Sequence, residues 1–309
     1  FLGSPSVYYG AQRCGGPVVQ TIHNFRLLCP AATFYRDQHI CEDCVRHNLW
    51  SAFRHKCYRN SRLQTLICII ALKIHRTSRI YSRLHYICLT EFNKSRLLQL
   101  KQIPKERVFV KPNFVFCRHR IYPYSCRKHQ VIFAGRLDRI KGIEQLLDAW
   151  MLLGADAPLL KIYGTGPMEE WCREAIAGRH SIRVQLMGYL PHEQLMDEIA
   201  LSKALILPTQ WYEGFPMSLV EAYSVGTPVL GSAIGNVGNL IQEGITGWTF
   251  HPESKEEIAA AVGKLRDITA SVLQVYKERY RRQDNYEHLY QIYRTVSESR
   301  KNENRNFVD

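Results

Sequence analysis

From residue 129 to residue 251 the chain repeats one pattern. A short β-rich apolar run leads into a glycine-bearing turn, and a stretch of helical period follows. The apolar runs predict strands at 130–134, 159–163, 182–187, 204–207 and 228–231. The periodic stretches between and after them predict helices at 142–153, 167–177, 192–201, 216–225 and 255–266. Strands alternating with helices in this way make an α/β domain with a doubly wound parallel sheet, whose ligands gather beyond the carboxyl ends of its strands.

The earlier part of the chain is less regular. Strands are expected at 18–22, 86–89 and 108–111, with helices at 63–80 and 94–100. Two or three βαβ units fit there. Residues 112–129, basic and interrupted by Pro123, read as an interdomain linker, and amphipathic, tyrosine-rich helices are expected at 275–282 and 286–296. The expected organisation is therefore a partial first domain at 1–128, a second domain at 129–275, and helices at 276–309. The apolar run 66–72 is far short of the ~20 residues a membrane-spanning helix needs. Residues 1–16 begin with Phe1 and carry no basic leader before an apolar segment, so the expectation is a chain without a secretory signal whose natural start is missing.

Composition changes this picture little, but charge changes it more. With 46% hydrophobic and 22% charged residues among 309, long disorder and a small disulfide-stapled fold are argued against. The net charge of +13 is concentrated upstream: residues 1–128 hold 22 Lys and Arg against 5 Asp and Glu, whereas residues 129–309 hold 19 against 23. Such asymmetry points the first half toward a polyanion: phosphorylated sugar, anionic lipid or nucleic acid. No nucleic-acid motif or aromatic stacking platform accompanies the charge, so nucleic acid is not expected as a partner.

Three segments carry candidate chemistry. After the strand 130–134, Gly135 and Arg136 precede Lys141 and Gly142 at a helix start, which puts two cations and backbone N–H groups at one strand's end, an arrangement suited to a diphosphate. Gly164-Thr165-Gly166-Pro167 follows the next strand. It lacks the third glycine and the later acidic residue of a dinucleotide fingerprint, which weakens a nicotinamide reading. The third segment runs from Pro208 to Ala222. It places Glu213 and Gly214 in a loop, Phe215, Pro216, Met217 and Ser218 at a helix start, and Glu221 farther into the helix among apolar neighbours. The N–H groups of Phe215, Met217 and Ser218 suit a phosphate, while Glu213 and Glu221 suit hydroxyls, so the ligand this pattern describes is a sugar nucleotide.

In combination and order, these motifs resemble the family 4 retaining glycosyltransferases of GT-B fold. The motifs are Gly135-Arg136-Leu137 with Lys141-Gly142, Gly164-Thr165-Gly166-Pro167, Glu213-x7-Glu221, Gly226-Thr227-Pro228-Val229 and Gly244-Ile245-Thr246-Gly247. The likeness extends upstream through the segment from Gln20 to Pro30 and through Lys111-Pro112-Asn113. It implies two Rossmann-like domains facing a cleft, the first incomplete, with the C-terminal helix packing back on the first. It also implies a nucleoside diphosphate sugar donor. By that resemblance Arg136 and Lys141 contact the diphosphate, Glu221 the ribose, Glu213 a sugar hydroxyl, and the backbone from Gly214 to Ser218 the sugar and phosphate. Tyr189 and Leu190 border the base, Gly135 and Gly164 line the site, and His23 faces the donor sugar. The expected reaction moves a hexose to a hydroxyl acceptor, a glycan or a lipid-linked one, in cell-surface polysaccharide or lipid-linked glycan assembly. It proceeds with retention and without a catalytic metal, since Arg136 and Lys141 supply the charge. The rival is a truncated homologue that binds nucleotide sugar or membrane without turnover. Asn239 stands where the family commonly has Glu.

Two expectations concern the basic half. Cys29, Cys41, Cys44 and Cys57 form C-x11-C-x2-C-x12-C in a loop-rich insertion, a set that could hold a structural zinc; disulfides and unrelated thiols are the alternatives, and Cys14, Cys68 and Cys172 show no pairing logic. Arg59, Arg62, Arg76, Arg79 and Arg83 flank the run 66–72, which suits a cytoplasmic protein resting on the inner face of an anionic membrane; a core helix with basic ends is the alternative.

Overall fold

The computed structural model of the chain describes residues 17–116, 118–178 and 182–305. Two units emerge, one running to Asn113 and resuming at Arg282, the other spanning Phe114–Arg281.

The first unit opens with Val19–Ile22 (β1), a hairpin of Tyr35–Arg36 (β2) and His39–Ile40 (β3), and two short helices, Asp43–Arg46 (α1) and Trp50–Arg54 (α2). The long helix Arg62–Thr77 (α3) follows, then His85–Cys88 (β4), Glu91–Leu97 (α4) and Val108–Val110 (β5). β1, β4 and β5 pair in parallel in that order, with Ile22 opposite Cys88 and Cys88 opposite Val110. Side chains cap both larger helices: Ser61 Oγ accepts the Gln64 N–H at 3.3 Å, and Thr90 Oγ1 accepts that of Asn93 at 3.0 Å. α3 buries Ile69 and Leu72 against Cys44, Leu49 and Ala52. Its opposite face leaves Leu63, Ile67, Ile70 and Ile74 exposed.

The second unit alternates strands and helices as the apolar pattern requires. Its strands are Lys128–Ala134 (β6), Leu159–Tyr163 (β7), Val184–Gly188 (β8), Ser202–Leu207 (β9), Val229–Ser232 (β10) and Gly247–Phe250 (β11). Its helices are Ile143–Leu153 (α5), Glu169–Ala177 (α6), His192–Ala200 (α7), Met217–Ser224 (α8), Gly235–Leu240 (α9), Lys255–Gly263 (α10) and Thr269–Arg279 (α11). The six strands pair in parallel in the order β11-β10-β9-β6-β7-β8. Alternation along β6 feeds two cores: Val131 and Phe133 join Leu146 and Trp150 on one face, and Ile132 joins Leu205, Val220 and Tyr223 on the other. Connections run one way from β6 to β7 and the other way from β9 to β10, so the order reverses between β6 and β9, where doubly wound sheets open a crevice.

Two local readings change, and the return of the last helix to the first unit is as expected. The stretch expected as linker packs instead. Val115 and Tyr122 join the second unit's core, Tyr276 Oη donates to Val115 O at 2.8 Å, and the buried Arg127 donates to Thr227 Oγ1 at 2.7 Å and Val225 O at 3.1 Å. α11 likewise stays with the second unit, through Val272, Val275 and Tyr276. Arg282–Arg305 (α12) belongs to the first, where Ile292 and Val296 pack on Ile87 and Lys111 Nζ donates to Asn285 Oδ1 at 2.7 Å.

Candidate active site

The site is built where the strand order reverses. Past Ala134 at the end of β6 come Gly135 and Arg136, then a 3-10 turn, Arg139–Lys141, opened by Asp138, whose Oδ1 faces the Ile140 N–H at 3.5 Å. Gly142 ends that turn with φ +71°. A Cβ there would lie 1.8 Å from Pro208 O, so only glycine lets the loop after β6 close against the loop after β9.

That closure joins the two sequence motifs. Lys141 Nζ donates to Glu213 Oε1 at 2.6 Å. The same oxygen accepts Trp211 Nε1–H at 3.0 Å and Thr209 Oγ1–H at 3.2 Å. Asn236 Nδ2, from α9, donates to the carbonyls of Glu213 and Gly214 at 2.6 and 2.7 Å, fixing the loop backbone. A cavity of about 270 Å³ opens beside the pair, lined by Gly135, Lys141, Glu213, Phe215, Pro216, Met217 and Ser218 together with Thr209. α8 begins at Met217 behind Pro216, and no side chain caps its start, so the helix's positive end lies at this cavity.

A second, more open depression adjoins the first at Gly135, which lines both. Arg136, Gly164, Tyr189 and Leu190 line it. Gly164 has φ +130°, and a Cβ there would lie 1.9 Å from Gly135 O, so this glycine permits close approach of two strand ends. The Arg136 side chain is two-thirds exposed, with Nε 3.6 Å from Asp138 Oδ2.

Other expected residues lie apart from these linings. Glu221 is half-buried on α8, its Oε1 3.0 Å from His192 Nε2 at the start of α7. His23, in the first unit, is exposed past β1 and lines a cavity of about 240 Å³ with Gln20, Asn24, Arg26 and His75. His75 is buried with Nδ1 3.1 Å from Tyr81 Oη, and burial lowers its pKa, keeping the ring neutral. Asn239 Nδ2 donates to Gly235 O at 2.6 Å within its own helix.

Sequence reasoning missed Thr209, Trp211, His192 and Asn236. The first two stand within four residues of Glu213, so donors preceding an acid in a loop were the available signal; the other two come from distant segments, and only the fold brings them in. Cys29, Cys41, Cys44 and Cys57 are free thiols. Among the described residues no three His, Cys, Asp or Glu side chains stand at metal-holding spacing. Cys68 and Cys172 are buried free thiols, and Cys14 lies outside the described residues. Among the described residues no helix is long and apolar enough to cross a membrane.

A family model described as glycosyl transferases group 1 matches residues 121–281. A glycogen synthase from Mycobacterium tuberculosis is 28% identical over 158 residues, covering 48% of this chain and 38% of that protein. An alpha-D-kanosaminyltransferase from Streptomyces kanamyceticus is 30% identical over 141 residues, covering 44% and 36%. The chain thus spans well under two thirds of these curated relatives. Among solved structures, Anabaena Alr3699/HepE in complex with UDP superposes with a TM-score of 0.65 at 16% identity, covering 94% of this chain and 74% of that one. Two α/β units on parallel sheets, with this likeness, give a GT-B fold.

Proposed function

The chain belongs to the glycosyl transferases group 1 family, and on that premise we propose that it is a retaining glycosyltransferase that moves a hexose from a nucleoside diphosphate sugar to a glycan or lipid-linked hydroxyl. One observation carries the reading. At the reversal of strand order, Lys141 and Glu213 meet beside a cavity that also holds the amino end of α8.

Breaking the sugar–phosphate bond leaves an oxocarbenium-like sugar and a diphosphate that gains charge. Lys141, Arg136 and the N–H groups at Met217 and Ser218 stabilise that charge more in the transition state than in the ground state. Glu213 accepts a hydrogen bond from a sugar hydroxyl, and its three donors orient it for that task. It is not the nucleophile: the acceptor attacks on the face the diphosphate leaves, and the departing phosphate takes the acceptor's proton. Glu221 receives the ribose hydroxyls, and Tyr189 and Leu190 border the base. The cations do the work a catalytic metal would otherwise do.

The acceptor side is the basic first unit. Leu63, Ile67, Ile70 and Ile74 form an exposed stripe on α3 at helical spacing, with Arg62, Lys73 and Arg79 exposed alongside, which supports a resting place on anionic lipid near a lipid-linked acceptor. Calorimetric titration of the full chain with UDP and GDP, each with and without sugar, tests the donor assignment. Release of nucleoside diphosphate on adding acceptor tests turnover. Binding with neither nucleotide ends the proposal, and binding without release under any acceptor leaves a module and not an enzyme.

A further inference from the structure

In the first unit, a cavity of about 240 Å³ opens around the carboxyl end of β1, the end at which parallel sheets bind ligands. Small-molecule pockets run from about 300 Å³ upward, so the group it takes is small. The turn that builds part of its wall is held firmly. The Arg26 N–H donates to Asn24 Oδ1 at 3.0 Å, and those of Leu28 and Cys29 both reach Phe25 O at 2.9 Å. Phe25 is buried, its ring 5.1 Å from that of Phe34 and 6.1 Å from that of Phe92. Arg26, half-buried, lines the cavity with its Cζ 5.7 Å from the centre of the Tyr58 ring.

Another part of the wall comes from α3 and the 3-10 turn Ile80–Arg83, through Leu72, His75 and Tyr81. Tyr81 is buried, and among the described residues its Oη has one partner, His75 Nδ1 at 3.1 Å. Burial pushes the Tyr81 pKa up to about 12 and lowers that of His75, so the pair is a phenol and a neutral ring. A buried phenol proton needs an acceptor, and Nδ1 is the one at hand, so Tyr81 donates to it. The ring's own proton then sits on Nε2. That nitrogen has no partner among the described residues, which leaves an N–H donor for the cavity that His75 lines.

Charge completes the pattern. Arg76 stands behind the wall residue Leu27, with Nη2 donating to Leu27 O at 3.1 Å. Its Nε is buried with no hydrogen-bond partner, and among the described residues no Asp or Glu pairs with it. Three acids of this unit are committed elsewhere, Asp37 and Asp43 to Arg36, and Glu42 to Arg46 and Arg96. Among the described residues no acidic side chain lines the cavity. A half-buried guanidinium, a second one behind the wall and an imidazole N–H make a place for an anion. Gln20, Thr21 and Asn24 add amide and hydroxyl groups, which match the hydroxyls of a sugar better than an alkyl chain.

We propose that this cavity binds the phosphoryl group of a phosphorylated saccharide, with Arg26 and His75 Nε2–H donating to its oxygens and the Arg76 charge reinforcing them from behind. A phosphoryl group offers three terminal oxygens to these donors where a carboxylate offers two. The anion site stands on the first unit alone. That its occupant is the sugar acceptor rests on the proposed transferase activity.

The test is calorimetric titration of the full chain, with and without saturating UDP, using glucose 1-phosphate, glucose 6-phosphate, glucose, glucuronate and hexyl phosphate. Expected is binding of at least one sugar phosphate in the presence of UDP, at least about tenfold tighter than glucose and tighter than glucuronate or hexyl phosphate. Arg26→Gln should lower that affinity at least about tenfold, and Arg26→Lys should restore part of it. Arg59→Gln should keep it: the Arg59 Cζ lies 5.5 Å from the same Tyr58 ring, but the residue is outside the lining. UDP affinity should be the same in all three variants. If Arg26→Gln proves insoluble, phenylglyoxal modification of the wild type reads the same residue, and protection of Arg26 by sugar phosphate but not by glucose supports the site. No binding of either sugar phosphate, full affinity in Arg26→Gln, or a preference for glucuronate or hexyl phosphate each overturns it. Sugar phosphate bound through Arg26 without any UDP binding upholds this site and ends the donor assignment; UDP binding without sugar-phosphate binding does the reverse.

Discussion

Lys141 Nζ and Glu213 Oε1 stand 2.6 Å apart, although 72 positions separate them in the chain and they leave different strands. The ammonium is thus committed to a carboxylate, and the two groups fix one another's position. Lys141→Met should weaken UDP binding by roughly 10- to 100-fold, the worth of one charged hydrogen bond. Glu213→Gln should lower turnover more than UDP affinity, because UDP has no hexose hydroxyl for it to hold. Titration with UDP beside release of nucleoside diphosphate separates the two. An equal loss of UDP affinity in both variants contradicts the division of labour.

Glu221 stands 3.0 Å from His192, outside the two cavity linings. As a ribose acceptor it must exchange that contact for hydroxyls, so Glu221→Ala should cost about tenfold in nucleotide affinity. His192→Ala should leave affinity unchanged or raise it. The reverse ranking makes His192, and not Glu221, the ligand-facing residue.

Gly142 and Gly154 share a positive φ, +71° and +68°, but Gly142 is left-handed with ψ +30° while Gly154 has ψ −148°, a region open essentially to glycine alone; a Cβ at Gly142 would meet Pro208 O at 1.8 Å, and one at Gly154 meets nothing within 4 Å. Gly154→Ala should therefore cost about 1–3 kcal/mol through its backbone and leave UDP binding intact, whereas Gly142→Ala, roughly 2–4 kcal/mol, should lose UDP binding as Lys141 shifts. UDP titration of both variants, beside their urea midpoints, checks the distinction.

Glu198 ties three segments of the second unit. It accepts Lys161 Nζ at 2.8 Å, Gln130 Nε2 at 3.2 Å and Tyr163 Oη at 3.2 Å. Burial pushes its pKa up, but the hydrogen bonds from Lys161 and Gln130 and the charge of Lys128 more than offset that, holding the carboxyl below its ordinary value. A carboxylate depressed in the folded state stabilises fully above its unfolded pKa, near 4.3, and that stability fades as pH falls through the lower folded value. Glu198→Gln should destabilise by roughly 1–2 kcal/mol at pH 7, and the gap to wild type should narrow below about pH 4. A gap that widens on acidification reverses the sign and refutes the assignment.

On α3, Ile67 is 59% exposed and Ile70 49%. Replacing both with Ser removes apolar surface about half of which is exposed, so folding stability should fall by no more than about 1–2 kcal/mol while binding to anionic vesicles falls several-fold. Binding to vesicles of neutral lipid should be weaker throughout, and rising salt should reduce the anionic component. Vesicle co-sedimentation unaffected by the double substitution dismisses α3 as the contact.

The later unit was largely legible because its strands are continuous apolar runs bounded by glycine and its helices keep their period. Leu159–Tyr163 has the bounds read from sequence, and Lys128–Ala134 differs only by its polar start. Gly247–Phe250 was missed because glycine and threonine dilute a four-residue run whose burial comes from β10 beside it. The hairpin of β2 and β3 was invisible for another reason: its bend uses Asp37 and Gln38, with neither Gly nor Asn to mark left-handed backbone. At the site, the motifs identified Lys141 and Glu213 singly. Their pairing depends on Gly142 meeting Pro208, a contact that local patterning does not encode.

The placement of α12 bears on how the polypeptide emerges from the ribosome. Ile292 and Val296 cover Ile87, and Asn285 accepts from Lys111, yet these partners are made 174 to 209 residues apart. At ~5–20 residues per second, β4 waits on the order of ten seconds or more for its covering helix, while the intervening unit has every strand it needs. The order of maturation is thus inverted relative to the order of synthesis, and the exposed face of the early sheet during that interval is where a nascent-chain chaperone would find its substrate.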